Sequence, residues 1–168
     1  MGLLHIYAGD GKGKTTAAMG LALRALGNGM QVCVCQFLKG GFTGEIEALA
    51  RFENARVLRA GAIGFLWEMA PQHIQQALAA QRELLGSLAR VRADLIVCDE
   101  ALDAMRAGAF SQEELLDAVE ALLARAEVVL TGREAPEALE RRADYITHML
   151  KQRHPYDHGV CARRGVEY

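Results

Sequence analysis

Gly9-Asp10-Gly11-Lys12-Gly13-Lys14-Thr15-Thr16 directly follows the apolar run Leu3-Leu4-His5-Ile6-Tyr7-Ala8. Three glycines at alternate positions and then Lys-Thr-Thr make a loop whose backbone N–H groups can turn inward around phosphate oxygens. Glycine is needed because the wrap uses positive φ and because a side chain would hold the backbone off the ligand. Lys14 then reaches the outer phosphates and the Thr15 hydroxyl sits on the accompanying magnesium. A helix opening at Thr15 adds its positive dipole end to the site. All eight residues, Gly9 to Thr16, are candidate nucleotide ligands. The full pattern asks for a further glycine five positions before Gly13, with four residues between, and Ala8 stands there. A strand before and a helix after, in one βα unit, raise the motif above a chance glycine-lysine string.

Working outward from the loop, apolar runs alternate with helical stretches. Strands are expected over residues 3–8, 31–38, 57–58, 94–99, 127–131 and 145–150. Helices are expected over 15–26, 45–52, 71–90, 111–124 and 135–143. Gly27-Asn28-Gly29 stops the first helix, and Ser111 with Glu114 forms a capping box at the start of another. The run Val32-Cys33-Val34-Cys35 is apolar throughout, as a strand covered on both faces should be. Strands separated by helices imply an α/β fold: a mainly parallel sheet with helices on both faces, of the P-loop NTPase-like (RecA-like) class. No linker or repeat divides the chain, so one domain over 1–168 is expected.

Composition sets bounds on the partners. The chain has 168 residues, 51% hydrophobic and 24% charged, with a net charge of −2. Lys and Arg are scattered, which argues against nucleic acid. No apolar stretch approaches ~20 residues, so no membrane span is expected. The first residues lack a basic export-type start, and a cytoplasmic location is expected. Cys33, Cys35, Cys98 and Cys161 show no two-residue metal or redox spacing. They read as buried thiols acting as small hydrophobes.

Leu95-Ile96-Val97-Cys98-Asp99-Glu100 ends an apolar strand in two acids. Ligands gather at the carboxyl ends of parallel strands, so Asp99 and Glu100 face the same edge as the loop. There they can position magnesium together with Thr15, or simply cap the next helix. Glu100 also has the place of an acid that activates water in P-loop hydrolases, which makes an ATPase or kinase the default on these motifs alone. Phe65 and Trp67, in Gly64-Phe65-Leu66-Trp67-Glu68, are either core aromatics or rings presented to a flat apolar ligand. Arg133, in Thr131-Gly132-Arg133, is either a phosphate fork or a surface ion pair.

Together these segments resemble the P-loop class of ATP:corrinoid adenosyltransferases, of the cobalamin-synthesis type. The likeness runs through the loop at Gly9, Gln36-Phe37-Leu38-Lys39-Gly40, Gly64-Phe65-Leu66-Trp67-Glu68 and Asp99-Glu100. It continues through Thr131-Gly132-Arg133, His154-Pro155-Tyr156-Asp157 and the closing Gly165-Val166-Glu167-Tyr168. The family's loop also lacks the first glycine. The resemblance implies transfer of the 5′-deoxyadenosyl group of ATP, bound with Mg2+, to the Co(I) of a corrinoid acceptor, releasing triphosphate. Lys14, Phe65, Trp67 and Glu100 are then the catalytic candidates. Phe65 and Trp67 match aromatics that displace the lower axial ligand of Co(II) corrinoid. Arg24 matches a nucleotide-contacting position, Arg133 in the matching Thr-Gly-Arg segment is the candidate phosphate fork, and Thr15, Asp99 and Glu100 hold the metal. The resemblance further implies a flavodoxin-like or reduced-flavin electron donor and a homodimer. A P-loop ATPase or kinase, and a non-catalytic corrinoid or nucleotide carrier, are the competing functions.

Overall fold

A computed structural model describes residues 1–60 and 70–167. Six strands, β1 (Leu4–Ala8), β2 (Val32–Gln36), β3 (Ala55–Arg59), β4 (Leu95–Asp99), β5 (Glu127–Thr131) and β6 (Tyr145–His148), form one sheet. Their order is β3-β2-β4-β5-β1-β6 and every neighbouring pair is parallel. Among the described residues six α-helices join them: α1 (Lys14–Gly27), α2 (Gly44–Leu49), α3 (Pro71–Ser87), α4 (Ala101–Arg106), α5 (Gln112–Leu123) and α6 (Glu137–Arg142). The α/β, RecA-like expectation is met, with β5 standing between the loop strand β1 and the acid-bearing strand β4.

Strand composition explains the layers. β2 and β4 are buried at every position. Alternate residues of each therefore go to opposite cores. Cys33, Cys35, Ile96, Cys98, Val128 and Leu130 pack with the inward residues of α3, α4, α5 and α6. Val32, Val34, Leu95, Val97 and Val129 face Ala18, Met19, Ala22, Ala25 and Leu26 of α1. Parallel strands need such cover on both faces, because the crossover helices have nowhere else to bury their apolar stripes.

Several details depart from expectation. α4 is not among the expected helices: it starts directly after Glu100, without a side-chain cap, and runs for only six residues. The second strand stops at Gln36, because Leu38 adopts φ 56 and turns the chain away from the sheet. The α3 stretch ends in a 3-10 turn, Leu88–Arg90. Cys161 is exposed on the tail and does not behave as a core hydrophobe; Cys33, Cys35 and Cys98 are buried. The Ser111 capping box forms with both reciprocal hydrogen bonds, as its spacing requires. Among the described residues no helix is long and apolar enough to cross a membrane.

Candidate active site

β1 ends at Ala8 and the loop leaves it through two positive-φ glycines, Gly9 (φ 121) and Gly13 (φ 117). Ala8 has no such conformation. It is the last strand residue, and its carbonyl accepts from Met149 N at 2.8 Å. That is why glycine is not needed there. Gly11 N donates to Met149 O at 2.7 Å and Gly9 N to Arg133 O at 2.9 Å. Lys151 N donates to Asp10 Oδ1 at 3.0 Å. The loop is thus fastened from outside by the segments that follow β5 and β6. A Cβ on Gly9 would lie 2.3 Å from Met149 O, so backbone packing forbids one.

α1 begins at Lys14 with Gly13 as N-cap, and no side chain caps it. Its first-turn N–H groups are orphan donors of the kind an anion satisfies. Lys14 Nζ folds back onto Gly11 O at 2.7 Å. Burial lowers the Lys14 pKa, opposed by the charges of Asp103 and Glu100.

Asp99 closes β4 and is fully buried. Its Oδ1 accepts from Thr15 Oγ1 at 2.9 Å and from Thr131 Oγ1 at 2.8 Å. Its Oδ2 accepts from Gln36 Nε2 at 3.2 Å and from Lys39 Nζ at 2.9 Å. Four donors on one buried carboxylate fix its orientation and leave neither oxygen without a partner. Glu100 follows in the left-handed region, φ 62, with its N–H donating to Thr131 Oγ1 at 2.8 Å. Its Oε1 lies 3.2 Å from Lys39 Nζ. Burial raises the Glu100 pKa and the Lys39 ammonium opposes it. For Lys39, burial pushes the pKa down, but Asp99 and Glu100 outweigh it and the net shift is upward.

Thr15, Thr16, Lys14, Asp99 and Glu100 therefore meet in one crevice. A cavity of about 360 Å³ there is lined by the loop, Lys39, Glu100, His154 and Glu167. Lys12 Nζ donates to Val166 O at 3.3 Å, bringing the chain terminus onto the loop. Arg133 lines an adjoining hollow with Asp10, Lys151 and His154, on the same edge. Arg24 is not brought to the loop. It lies ten residues beyond Lys14, about 15 Å along α1, in a hollow with His5, Asn28, Glu127 and Tyr145. Phe65 and Trp67 lie outside the described residues. Reasoning from motifs passes over Gln36, Lys39 and the Thr131 hydroxyl as parts of the acid cluster. The available signal is that Gln36 and Thr131 end apolar strands, on the edge where ligands collect.

The donor set fits a hard divalent cation: a hydroxyl and two carboxylates, all oxygen. A cationic nitrogen already lies against the same three residues. Among the described residues no cluster of three or more His, Cys, Asp or Glu could hold a metal. Phosphate oxygens or waters would complete the coordination of Mg2+.

Comparison with known proteins gives a full-length match. The family model described as "ATP:corrinoid adenosyltransferase BtuR/CobO/CobP" covers residues 1–168. A corrinoid adenosyltransferase of Pseudomonas aeruginosa is 36% identical over 99% of this chain and 84% of its own length. Corrinoid adenosyltransferase CobA of Salmonella typhimurium is 32% identical over 99% of this chain and 86% of its own. A solved structure titled as a DNA replication initiation factor is similar at 14% identity and a TM-score of 0.44, over 88% of this chain and 40% of that one. Loop, acid pair and tail all fall inside the one match, and the chain belongs to the ATP:corrinoid adenosyltransferase family, transferases of cobalamin synthesis or salvage.

Proposed function

We propose that the crevice holds Mg-ATP and presents its C5′ to the Co(I) of a corrinoid, releasing triphosphate. The observation that carries this reading is the Thr15 hydroxyl, hydrogen-bonded to Asp99 while it opens the loop helix. That contact joins the phosphate loop to the acid-bearing strand. Bound magnesium would offset charge developing on the leaving triphosphate. The Lys14 ammonium leaves Gly11 O for phosphate oxygens, and the uncapped amides of α1 face the same charge. Arg133 adds a guanidinium fork from the neighbouring hollow. Co(I) is itself a strong nucleophile, so no general base is needed and Glu100 serves the cation.

Phe65 and Trp67 take the lower face of the corrinoid, displacing the axial ligand of Co(II) so that reduction becomes easier. A flavodoxin-like or reduced-flavin donor supplies the electron. The working assembly is a homodimer in the cytoplasm, and Arg24 contacts the nucleotide only if an assembly brings it there.

The test is anaerobic mixing of protein, Mg-ATP and chemically reduced cob(I)alamin. Growth of the light-sensitive cobalt–carbon spectrum with equal triphosphate supports the reading; orthophosphate without a spectral change overturns it in favour of an ATPase. Phe65→Ala with Trp67→Ala should abolish adenosylation that starts from Co(II) and spare work on Co(I). Equal activity from both starting states removes the aromatic role.

A further inference from the structure

Lys39 lies 24 residues from Thr15 and 60 from Asp99, yet its ammonium meets both. It donates to Thr15 Oγ1 at 3.1 Å and to Asp99 Oδ2 at 2.9 Å, and lies 3.2 Å from Glu100 Oε1. These are the three side chains that would hold magnesium. The Thr15 hydroxyl spends its only hydrogen on Asp99 Oδ1. What it offers Lys39 is a lone pair, in the role a metal ligand would have. From this coincidence of donors we infer that Lys39 is a tethered cation. It fills the metal position of the nucleotide-free protein and must swing out when Mg-ATP enters.

The two cations exclude each other. Mg–O distances are about 2.0–2.1 Å, so a metal bound to this set would lie within van der Waals contact of the ammonium. Two positive charges there, next to fully buried Asp99, would repel strongly. Without either cation, Asp99 and Glu100 would face each other as adjacent carboxylates in a low-dielectric crevice. The fold also provides an exit. Lys39 stands between Leu38, a non-glycine at φ 56, and Gly40-Gly41. A cavity of about 580 Å³, lined by Thr15, Thr16, Lys39, Gly41, Thr43 and Glu45, opens beside it. Turned into that space, the ammonium leaves the oxygens of Thr15, Asp99 and Glu100 to the metal.

The inference rests on Thr15, Asp99 and Glu100 being the metal-holding set, and the experiment separates the two ideas. Mn2+ binding to the full chain is followed by electron paramagnetic resonance, with and without a non-hydrolysable ATP analogue. Wild type should take up one Mn2+ per chain only with the analogue. Lys39→Met should bind Mn2+ without it, at least tenfold more tightly than wild type, and Lys39→Arg should not. Adding Asp99→Asn to Lys39→Met should abolish that binding. If Lys39→Met binds nucleotide-free Mn2+ no better than wild type, the tethered cation is overturned while the metal site stands. If the analogue brings no Mn2+ to wild type, the metal reading itself fails. Should Lys39→Met not fold, wild type still decides: nucleotide-free Mn2+ uptake within threefold of that with the analogue would mean that no cation guards the position.

Discussion

The Thr131 hydroxyl donates to Asp99 Oδ1 and accepts from Glu100 N, both at 2.8 Å. Thr131→Val keeps the shape and removes both bonds, leaving a buried carboxylate one donor short and an N–H unpaired. The expected cost is about 1–3 kcal/mol, read by urea unfolding; a loss under about 0.5 kcal/mol would mean the hydroxyl is idle. Thiols make a second prediction at this scale. At pH 7.5 a thiol reagent should titrate Cys161 alone, and all four cysteines after denaturation. Burial pushes the Cys33 thiol up to about 11, above the unfolded value of about 8.5. The folded state therefore holds that proton longer. Its stabilising effect is complete below about 8.5 and is lost as pH rises to about 11. Alkylation of Cys33 in native protein at pH 8 would contradict this. Lys14, Thr15 and Asp99 are legible in the sequence because each belongs to a local pattern. Lys39 is not, because it meets Asp99 only through β2 lying beside β4, with Gln36 in register with Asp99.

Loops and short helices show how far local pattern reaches at the element scale. The phosphate loop is readable because its glycines are required by geometry, but the two positive-φ glycines differ in what surrounds them. At Gly9 an added Cβ meets Met149 O at 2.3 Å; at Gly13 the nearest atom is Met149 Sδ at 3.4 Å. Both changes to alanine strain the backbone, by roughly 1–2 kcal/mol. Gly9→Ala must in addition displace the chain that follows β6. It should lower the thermal midpoint more than Gly13→Ala, and equal midpoints would refute the fastening of the loop by residues 149–151. α5 is equally readable, since its capping box is a spacing rule. α4 is not: it carries no cap, and its start is set by the left-handed turn at Glu100 rather than by its own residues.

Across the whole molecule, strand order is what the sequence hides. Alternating strands and helices announce a parallel sheet, but not that β5 separates β1 from β4. That order nonetheless brings three carboxyl strand ends into one crevice: Ala8, Asp99 and Thr131. The tail joins them through the Lys12–Val166 contact and the 2.7 Å bond from Gly11 N to Met149 O. Mg-ATP bound across these elements should act as a clamp. At a hundredfold excess over Kd, it should stabilise the chain by about 2.7 kcal/mol. Amide exchange should slow in the tail near Val166 as well as in the loop. Slowing confined to the loop would show that the tail takes no part.

Glu100 itself bears on selection. A non-glycine at φ 62 is held in a conformation that Gly, Asn and Asp adopt more cheaply. Glutamate is thus a poor choice by backbone ease, retained for the length that carries its carboxylate to within 3.2 Å of Lys39. A library of all substitutions at this position, sorted once for folded protein and once for corrinoid adenosylation, should return opposite rankings. Glycine and asparagine should lead the first sort and glutamate the second. The same winner in both would mean that the strained acid has been kept for its shape alone.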